Sequence, residues 1–307
     1  MKRTNKSIIL ALLAVLCWST IGSAFKLTLN YLNFTQVLLF STFVAVLFLG
    51  TVLMIKGKLK QVLSTPPRSI GLSAIMGFLN PFAYYLILLK AYSILQAQEA
   101  VALNYIWPMI LVILSAIFLK HKISWLNIIF LLISFSGTIV IATKGNLLSL
   151  EFSNPTGIVL ALSSAFFWAF YWLLNMKDQR ETEEKLFVNF GFGFIYILLY
   201  SILTNNLIIP GPEANFGVIY IGLFEMGITF ILWLNALKYA ANTAKVSNLV
   251  YLSPFLSLMF VSIAVGEKIL FSTIAGLLLI IGGILLQQLV AVRNRKKSKV
   301  FADGLQQ

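Results

Sequence analysis

The chain has 307 residues, of which 59% are hydrophobic and 11% charged, with a mean hydropathy of +0.91. Soluble domains carry about 25% charged residues, so a water-soluble globular fold is excluded and an all-α integral membrane protein is expected. The net charge of +13 is spread over alternate loops rather than gathered in one patch, so it implies no nucleic-acid partner.

Ten apolar stretches follow one another at 7–28, 36–56, 69–91, 97–119, 124–143, 155–176, 184–204, 216–238, 243–265 and 270–292. Each is long enough to cross roughly 30 Å of hydrocarbon as a helix. Lys2, Arg3 and Lys6 precede the first stretch as in a secretory signal. The stretch runs on past Gly22 to Leu29 with Trp18 at its middle, which predicts a retained helix. Connections are short, and the nearest to a loop domain is the charged stretch 177–185. If the N-terminus is cytoplasmic, 19 of the 23 Lys and Arg residues fall inside, and Lys26, Lys90, Lys144 and Lys268 fall outside. The positive-inside rule then places both termini in the cytoplasm, with the lipid bilayer of the cell's inner membrane as surroundings.

The second five stretches repeat the first five. Tyr105, Pro108, Lys122 and Gly137 recur 146 positions later as Tyr251, Pro254, Lys268 and Gly283. Lys90 matches Lys238, and Trp18 matches Trp168, at slightly larger offsets. This divides the chain into a first five-helix repeat (1–148), a second (149–292) and a basic cytoplasmic tail (293–307). Five is odd, so the second repeat must enter the membrane from the opposite side. Inverted repeats place a site near the bilayer midplane, between halves that can exchange roles in alternating access.

Pro108 and Pro254 fall within the fourth and ninth stretches, where each ring removes the bond to the carbonyl four residues back. Helix kinks are expected there, shaping a cavity or flexing as the halves rock. Glycines 191, 193, 276, 282 and 283 predict close helix packing.

Intramembrane ionisable groups default to function. Glu225 lies about nine residues into its stretch, ~14 Å deep at the helical rise, opposite Gly77 of the first repeat. It suits a solute ammonium or a proton. Lys90 and Glu99 lie on the same expected outer side and form a candidate outer gate. Trp and Tyr normally gather at membrane interfaces, yet Trp18, Trp107, Trp168, Trp172, Tyr84, Tyr85, Tyr105, Tyr171 and Tyr251 fall within spans. They predict an aromatic-walled pocket, with Asn104 sharing a helix face with Trp107.

Cys17 and His121 are the single cysteine and histidine, so a disulfide, a thiolate metal cluster and a histidine proton relay are not expected. No phosphate-binding loop of the Gly-x4-Gly-Lys type occurs, and no clustered acids, His or Cys suggest catalysis. Neither an enzyme nor a cofactor or metal is expected.

Ten spans in two halves, with Leu16-Cys-Trp-Ser-Thr20, Gln96-Ala-Gln-Glu99, Asn104-Tyr-Ile-Trp-Pro108 and Ser164-Ala-Phe-Phe-Trp168, resemble the drug/metabolite transporter superfamily and its EamA-type exporters. Within these the chain looks like the branch of aromatic amino-acid exporters that also handle paraquat. The resemblance implies a small-molecule solute bound in a central aromatic cavity, with Trp18, Tyr105, Trp107 and Trp168 at matching positions. It also suggests a monomer, or a homodimer formed through spans five and ten. The stretch 80–85, Glu225 and Lys90 depart from the pattern. The expected function is export of amino acids or related amphipathic metabolites. The alternatives are a proton-coupled exchanger of cationic drugs and a non-transporting receptor or assembly subunit.

Overall fold

The computed structural model describes residues 3–119, 125–146, 152, 154–175, 177–207, 209–241 and 246–304. His121, Lys122 and the other basic residues at 2, 120 and 245 lie outside the described residues. Among the described residues all regular structure is helical. The helices are α1 (Arg3–Thr28), α2 (Phe34–Ile55), α3 (Leu59–Leu63), α4 (Pro67–Gly77), α5 (Tyr84–Ile94), α6 (Ala97–Asn104), α7 (Trp107–Leu119), α8 (Trp125–Ala142), α9 (Pro155–Asn175), α10 (Thr182–Leu203), α11 (Pro212–Tyr220), α12 (Ile228–Tyr239), α13 (Ser253–Ala264) and α14 (Phe271–Gly304).

Eight helical segments are long and apolar enough to cross a membrane. Two shorter apolar helices, Ile128–Ala142 and Asn248–Ala264, coincide with the expected fifth and ninth spans. Helix starts follow local chemistry. Asn33 accepts hydrogen bonds from the N–H groups of Thr35 and Gln36 ahead of α2, and prolines open α4, α9 and α11.

The prolines at 108 and 254 sit in the first turn of a new helix rather than bending a continuous one. Helix α6 stops at Asn104, a turn covers Tyr105–Ile106, and α7 restarts at Trp107. A 3-10 segment, Asn248–Leu252, likewise precedes α13. A first-turn position tolerates the missing N–H and the fixed φ of proline, so the chain breaks one turn earlier than a kink would require.

Two further irregularities have no counterpart in the hydropathy pattern. Stretches with π-type hydrogen bonding join α4 to α5 (Phe78–Ala83) and α11 to α12 (Ile221–Gly227); in the first the chain is broken at Asn80, which is extended (φ −151°, ψ 119°) ahead of Pro81. They fall in the third helical span of each half.

Helices pack mainly on partners from the other half. Helix α1 packs on α12 and α13, α9 on α5, α6 and α7, and α2 on α10 and the second π stretch. Helix α10 packs on α4 and the first π stretch, and α8 lies along α14. In lipid, helices gain little from burying apolar surface and associate by close packing. At Gly137 a Cβ would come within 2.4 Å of the Gly276 carbonyl oxygen, so α8 and α14 touch backbone to backbone. The small-residue faces of the expected fifth and tenth spans are thus used within one chain. Glycines 191 and 282 have open space around them and serve no such contact.

Candidate functional site

All seven residues expected to handle a solute line one cavity: Trp18, Tyr84, Asn104, Tyr105, Trp107, Trp168 and Glu225. The cavity encloses about 660 Å³ of space counted out to its mouth, open solvent included. Trp172, Trp233 and Tyr92 complete its aromatic wall. Trp172 was recognisable as a mid-span tryptophan. Trp233, five residues inside the eighth stretch, carries the same signal as Trp172, four inside the sixth, whereas Tyr92 falls just past the third stretch, where aromatic residues ordinarily mark an interface.

The rings brace one another. Trp168 stacks on Tyr84 with centroids 4.5 Å apart, and Trp107 meets Trp168 edge-on at 6.5 Å. On the other side Trp18 meets Trp233 at 5.3 Å. The repeat-equivalent Trp18 and Trp168 therefore face the same space from the first helix of each half. Such contacts add about 0.5–1.5 kcal/mol per pair beyond burial and hold the wall in one shape.

The polar groups are few and directional. Asn104 donates through Nδ2 to Ser164 Oγ at 2.9 Å, and Tyr84 donates to Asn104 Oδ1 at 3.4 Å. Glu225, 5% exposed, sits in the second π stretch. Its Oε1 accepts a 2.8 Å bond from the Tyr85 hydroxyl, whereas Oε2 has no partner among the described residues. Trp172 Nε1 and Ser257 Oγ, also in the lining, are unpartnered as well. An unpaired carboxylate oxygen and an unpaired indole N–H in one buried space are expensive unless a ligand or water meets them. The pair can receive an ammonium at one point and a carboxylate at another.

The expected Lys90–Glu99 gate is not formed. The Lys90 ammonium lies 5.0 Å from the centre of the Phe34 ring. Glu99 faces inward from the first turn of α6, where Oε2 accepts from the Gln96 N–H and Oε1 lies 3.6 Å from the Lys144 ammonium. Helix α6 begins only after Leu95, so Glu99 turns toward the end of α8 and away from the solvent side of α5.

A different network closes this end. Glu267, from the turn before α14, accepts the N–H groups of Ala97 and Gln98 at 2.8 and 3.2 Å, meeting the positive end of α6. Gln98 in turn donates to the Lys268 carbonyl and accepts from the Leu270 N–H and the Thr273 hydroxyl. Lys26 donates to the carbonyls of Tyr92 and Leu95.

At the opposite end, the turn between α9 and α10 is ionic. Arg180 grips Asp178 through Nε and Nη2 at 3.0 and 2.6 Å and donates to Ser73 at 2.7 Å. Burial pushes the Asp178 carboxyl up, but the bonds and charge of Arg180 outweigh it and hold the group below its ordinary range. Lys56 pairs with Glu183, and Lys58 with Glu181. Among the described residues no group of His, Cys, Asp or Glu could hold a metal ion.

The chain matches the EamA-like transporter family over residues 5–143 and 155–287. An uncharacterized transporter of Archaeoglobus fulgidus is 27% identical over 158 residues, 50% of this chain and 54% of that relative, so the chain spans about half the length of that protein. The aromatic amino acid exporter YddG of Escherichia coli is 25% identical over 216 residues, 65% of this chain and 69% of that one. A solved crystal structure superposes with a TM-score of 0.66 at 21% identity, covering 94% of this chain and 99% of the other, which shows a shared fold. Two consecutive family matches, one in each half of a helical chain whose spans enclose a central cavity, make the conclusion direct: the chain belongs to the EamA-like transporter family.

Proposed function

We propose that the protein exports amino acids, aromatic ones included, or related small amphipathic metabolites across the cytoplasmic membrane by alternating access. In this reading ten helices cross the membrane, with repeats at 1–148 and 149–292, a basic tail at 293–307 and both termini in the cytoplasm. The observation that carries it is the central cavity. Its walls are mainly tryptophan and tyrosine, and its unpartnered polar atoms include a carboxylate oxygen on Glu225 and an indole N–H on Trp172. Rings and aliphatic chains fit the walls, an ammonium fits Glu225, and a carboxylate fits Trp172. The similarity to an aromatic amino acid exporter supports the same class of solute. Breaks before Pro108 and Pro254 give each half a joint beside the cavity.

Glu225 also supports a second reading, a proton-coupled exchanger of cationic drugs, because a carboxylate among aromatic rings suits an organic cation. Efflux of labelled phenylalanine from proteoliposomes separates the two. The competitors are unlabelled threonine, methionine and methyl viologen, and empty liposomes are the control. Protein-dependent efflux blocked by the amino acids is expected. Folded protein that moves no phenylalanine but takes up methyl viologen under an imposed pH gradient would replace the first reading with the second.

A further inference from the structure

Beside the aromatic wall of the cavity lies a second cluster of buried polar groups that the central site does not use. Ser164, Trp168, Tyr171 and Asn175 are spaced four, three and four residues apart on α9, so they form one face. Trp168 and Tyr171 stack with centroids 5.9 Å apart, which leads the face from the cavity toward the α9–α10 turn. Lys185 and Asn189, four apart on α10, and Asn80, in the first π stretch, border the same space. The Tyr171 hydroxyl sits beside the amides of Asn175, Asn80 and Asn189.

The partners there do not balance. Asn80 and Asn189 are 0% exposed, and neither polar atom of either amide has a hydrogen-bond partner among the described residues. Tyr171 Oη, Asn175 Nδ2 and Arg180 Nη1 are likewise unpartnered. The buried Lys185 ammonium donates to two neutral acceptors, Asn175 Oδ1 at 3.0 Å and the Asp178 carbonyl at 3.2 Å. The Asp178 carboxylate is already taken by Arg180. Glu181 and Glu183 are held by Lys58 and Lys56, and Glu184 accepts from Thr65. The buried Lys185 ammonium thus has no carboxylate of its own, since Arg180 holds that of Asp178, and the amide and hydroxyl groups around it lie near one another without a well-formed bond. Buried polar groups are rarely left so; orphaned donors outnumber the two orphaned amide oxygens of Asn80 and Asn189, and with the Lys185 charge beside them the cluster favours an anionic acceptor.

We propose that this chamber is a carboxylate-binding subsite, with Lys185 as its charge and Asn189, Asn175 and Tyr171 as its neutral donors, through which the solute is loaded from the cytoplasmic end. The solute's ring rests against the Trp168–Tyr171 stack as its carboxylate leaves Lys185 for the central cavity. The identity of the solute rests on the exporter reading; the anion site itself does not.

The test is thermal unfolding of the purified protein in lipid nanodiscs, titrated with 3-phenylpropionate, which has the carboxylate but no amine. Phenylethylamine, which has the amine alone, and inorganic phosphate serve as comparison ligands. Stabilisation by 3-phenylpropionate is expected in the parent protein and in Lys185→Arg. In Lys185→Gln its apparent affinity should fall roughly tenfold or more, the scale of a hydrogen bond to a charged group. Stabilisation by phenylethylamine should be unchanged. Asn189→Leu removes two orphaned atoms, so it should unfold at a higher temperature without ligand yet respond less to 3-phenylpropionate. That combination is not produced by a purely structural amide, and it decides the matter if Lys185→Gln does not fold. An equal response to 3-phenylpropionate in parent and both variants would overturn the proposal and leave the chamber a hydrated packing defect. Equal stabilisation by phosphate through Lys185 would overturn the carboxylate assignment. Lys185-dependent binding of 3-phenylpropionate without any phenylalanine efflux would sustain the subsite and sink the exporter reading. Phenylalanine efflux with an unchanged cytoplasmic-side KM in Lys185→Gln would do the reverse.

Discussion

The third span of each half is distorted at the same level and carries a different polar group there. In the first half the π stretch Phe78–Ala83 holds Asn80; in the second, Ile221–Gly227 holds Glu225. Both press on the second span of the opposite half. A Cβ on Gly77 would lie 2.4 Å from the Asn189 carbonyl oxygen, and one on Gly222 would lie 2.5 Å from that of Ser41. The close packing is thus alike on both sides, while the backbone path, extended at Asn80 in the first half only, and the chemistry are not. Glu225 faces the central cavity with Tyr85 on one oxygen, whereas Asn80 borders the chamber under Trp168. A π segment widens the turn and re-aims the side chains around it, so one scaffold device presents two kinds of polar group at two depths of the molecule.

The strongest way to break this comparison is to remove the close approach on either side. Gly77→Val and Gly222→Val each force a side chain into opposing backbone that cannot retreat without moving a helix. Both should lose most of the monodisperse protein on size-exclusion chromatography, at a cost of at least the ~1–3 kcal/mol of core overpacking. Loss in one half alone would show that the two interfaces are not equivalent.

The chemical asymmetry is sharpened at Glu225. Glu225→Gln keeps an acceptor for Tyr85 but removes the charge, and binding of phenylethylamine should weaken roughly tenfold or more. Tyr85→Phe keeps the charge and removes only its positioning bond, so isothermal titration should show a loss of a few-fold. Equal losses would mean that Glu225 acts through geometry rather than charge.

A smaller effect is expected from acid at the ionic turn. The Asp178 carboxyl is held below its unfolded value, ordinarily about 3.9. Its contribution to stability is therefore complete above that value and lost as pH falls through the lower folded one. A plot of unfolding temperature against pH should show an extra fall below about pH 4 that Asp178→Asn removes. An identical acid limb in the variant would place the titrating group elsewhere. Smallest of all is Lys58→Ala. The Lys58–Glu181 pair is half open to solvent, exposed pairs are screened and entropically costly, and the melting curve should not move measurably.

Hydropathy and the repeat made much of this molecule legible before any coordinates. Mid-span tryptophans and tyrosines are costly in lipid, so their gathering around one cavity follows from the cost of stranding an N–H or O–H. Glu225 was legible for the same reason. The Lys90–Glu99 pair was not, because it was inferred from a shared side of the membrane, and helix faces decide partners. Lys90 turns to Phe34, while Glu99 turns inward to the α6 terminus and Lys144. The second π stretch was invisible because an extra residue in a turn leaves average hydropathy unchanged; the first was marked by Pro81, whose missing N–H breaks a helix from within. The chamber at Lys185 was hidden differently: Asn80, Tyr171 and Asn189 lie on three helices from two halves, and no spacing along the chain connects them.

The reciprocal hold between Gln98 and Glu267 has a mechanical consequence. Two hydrogen bonds run from the start of α6 to Glu267, and three more run between the Gln98 side chain and residues 268, 270 and 273. Each half grips the other's backbone, so neither can swing away while its neighbour stays. Separating the halves here has to break all five bonds, and separation strands the first N–H groups of α6 until water reaches them. The contact is a clasp with two tongues, one from each half.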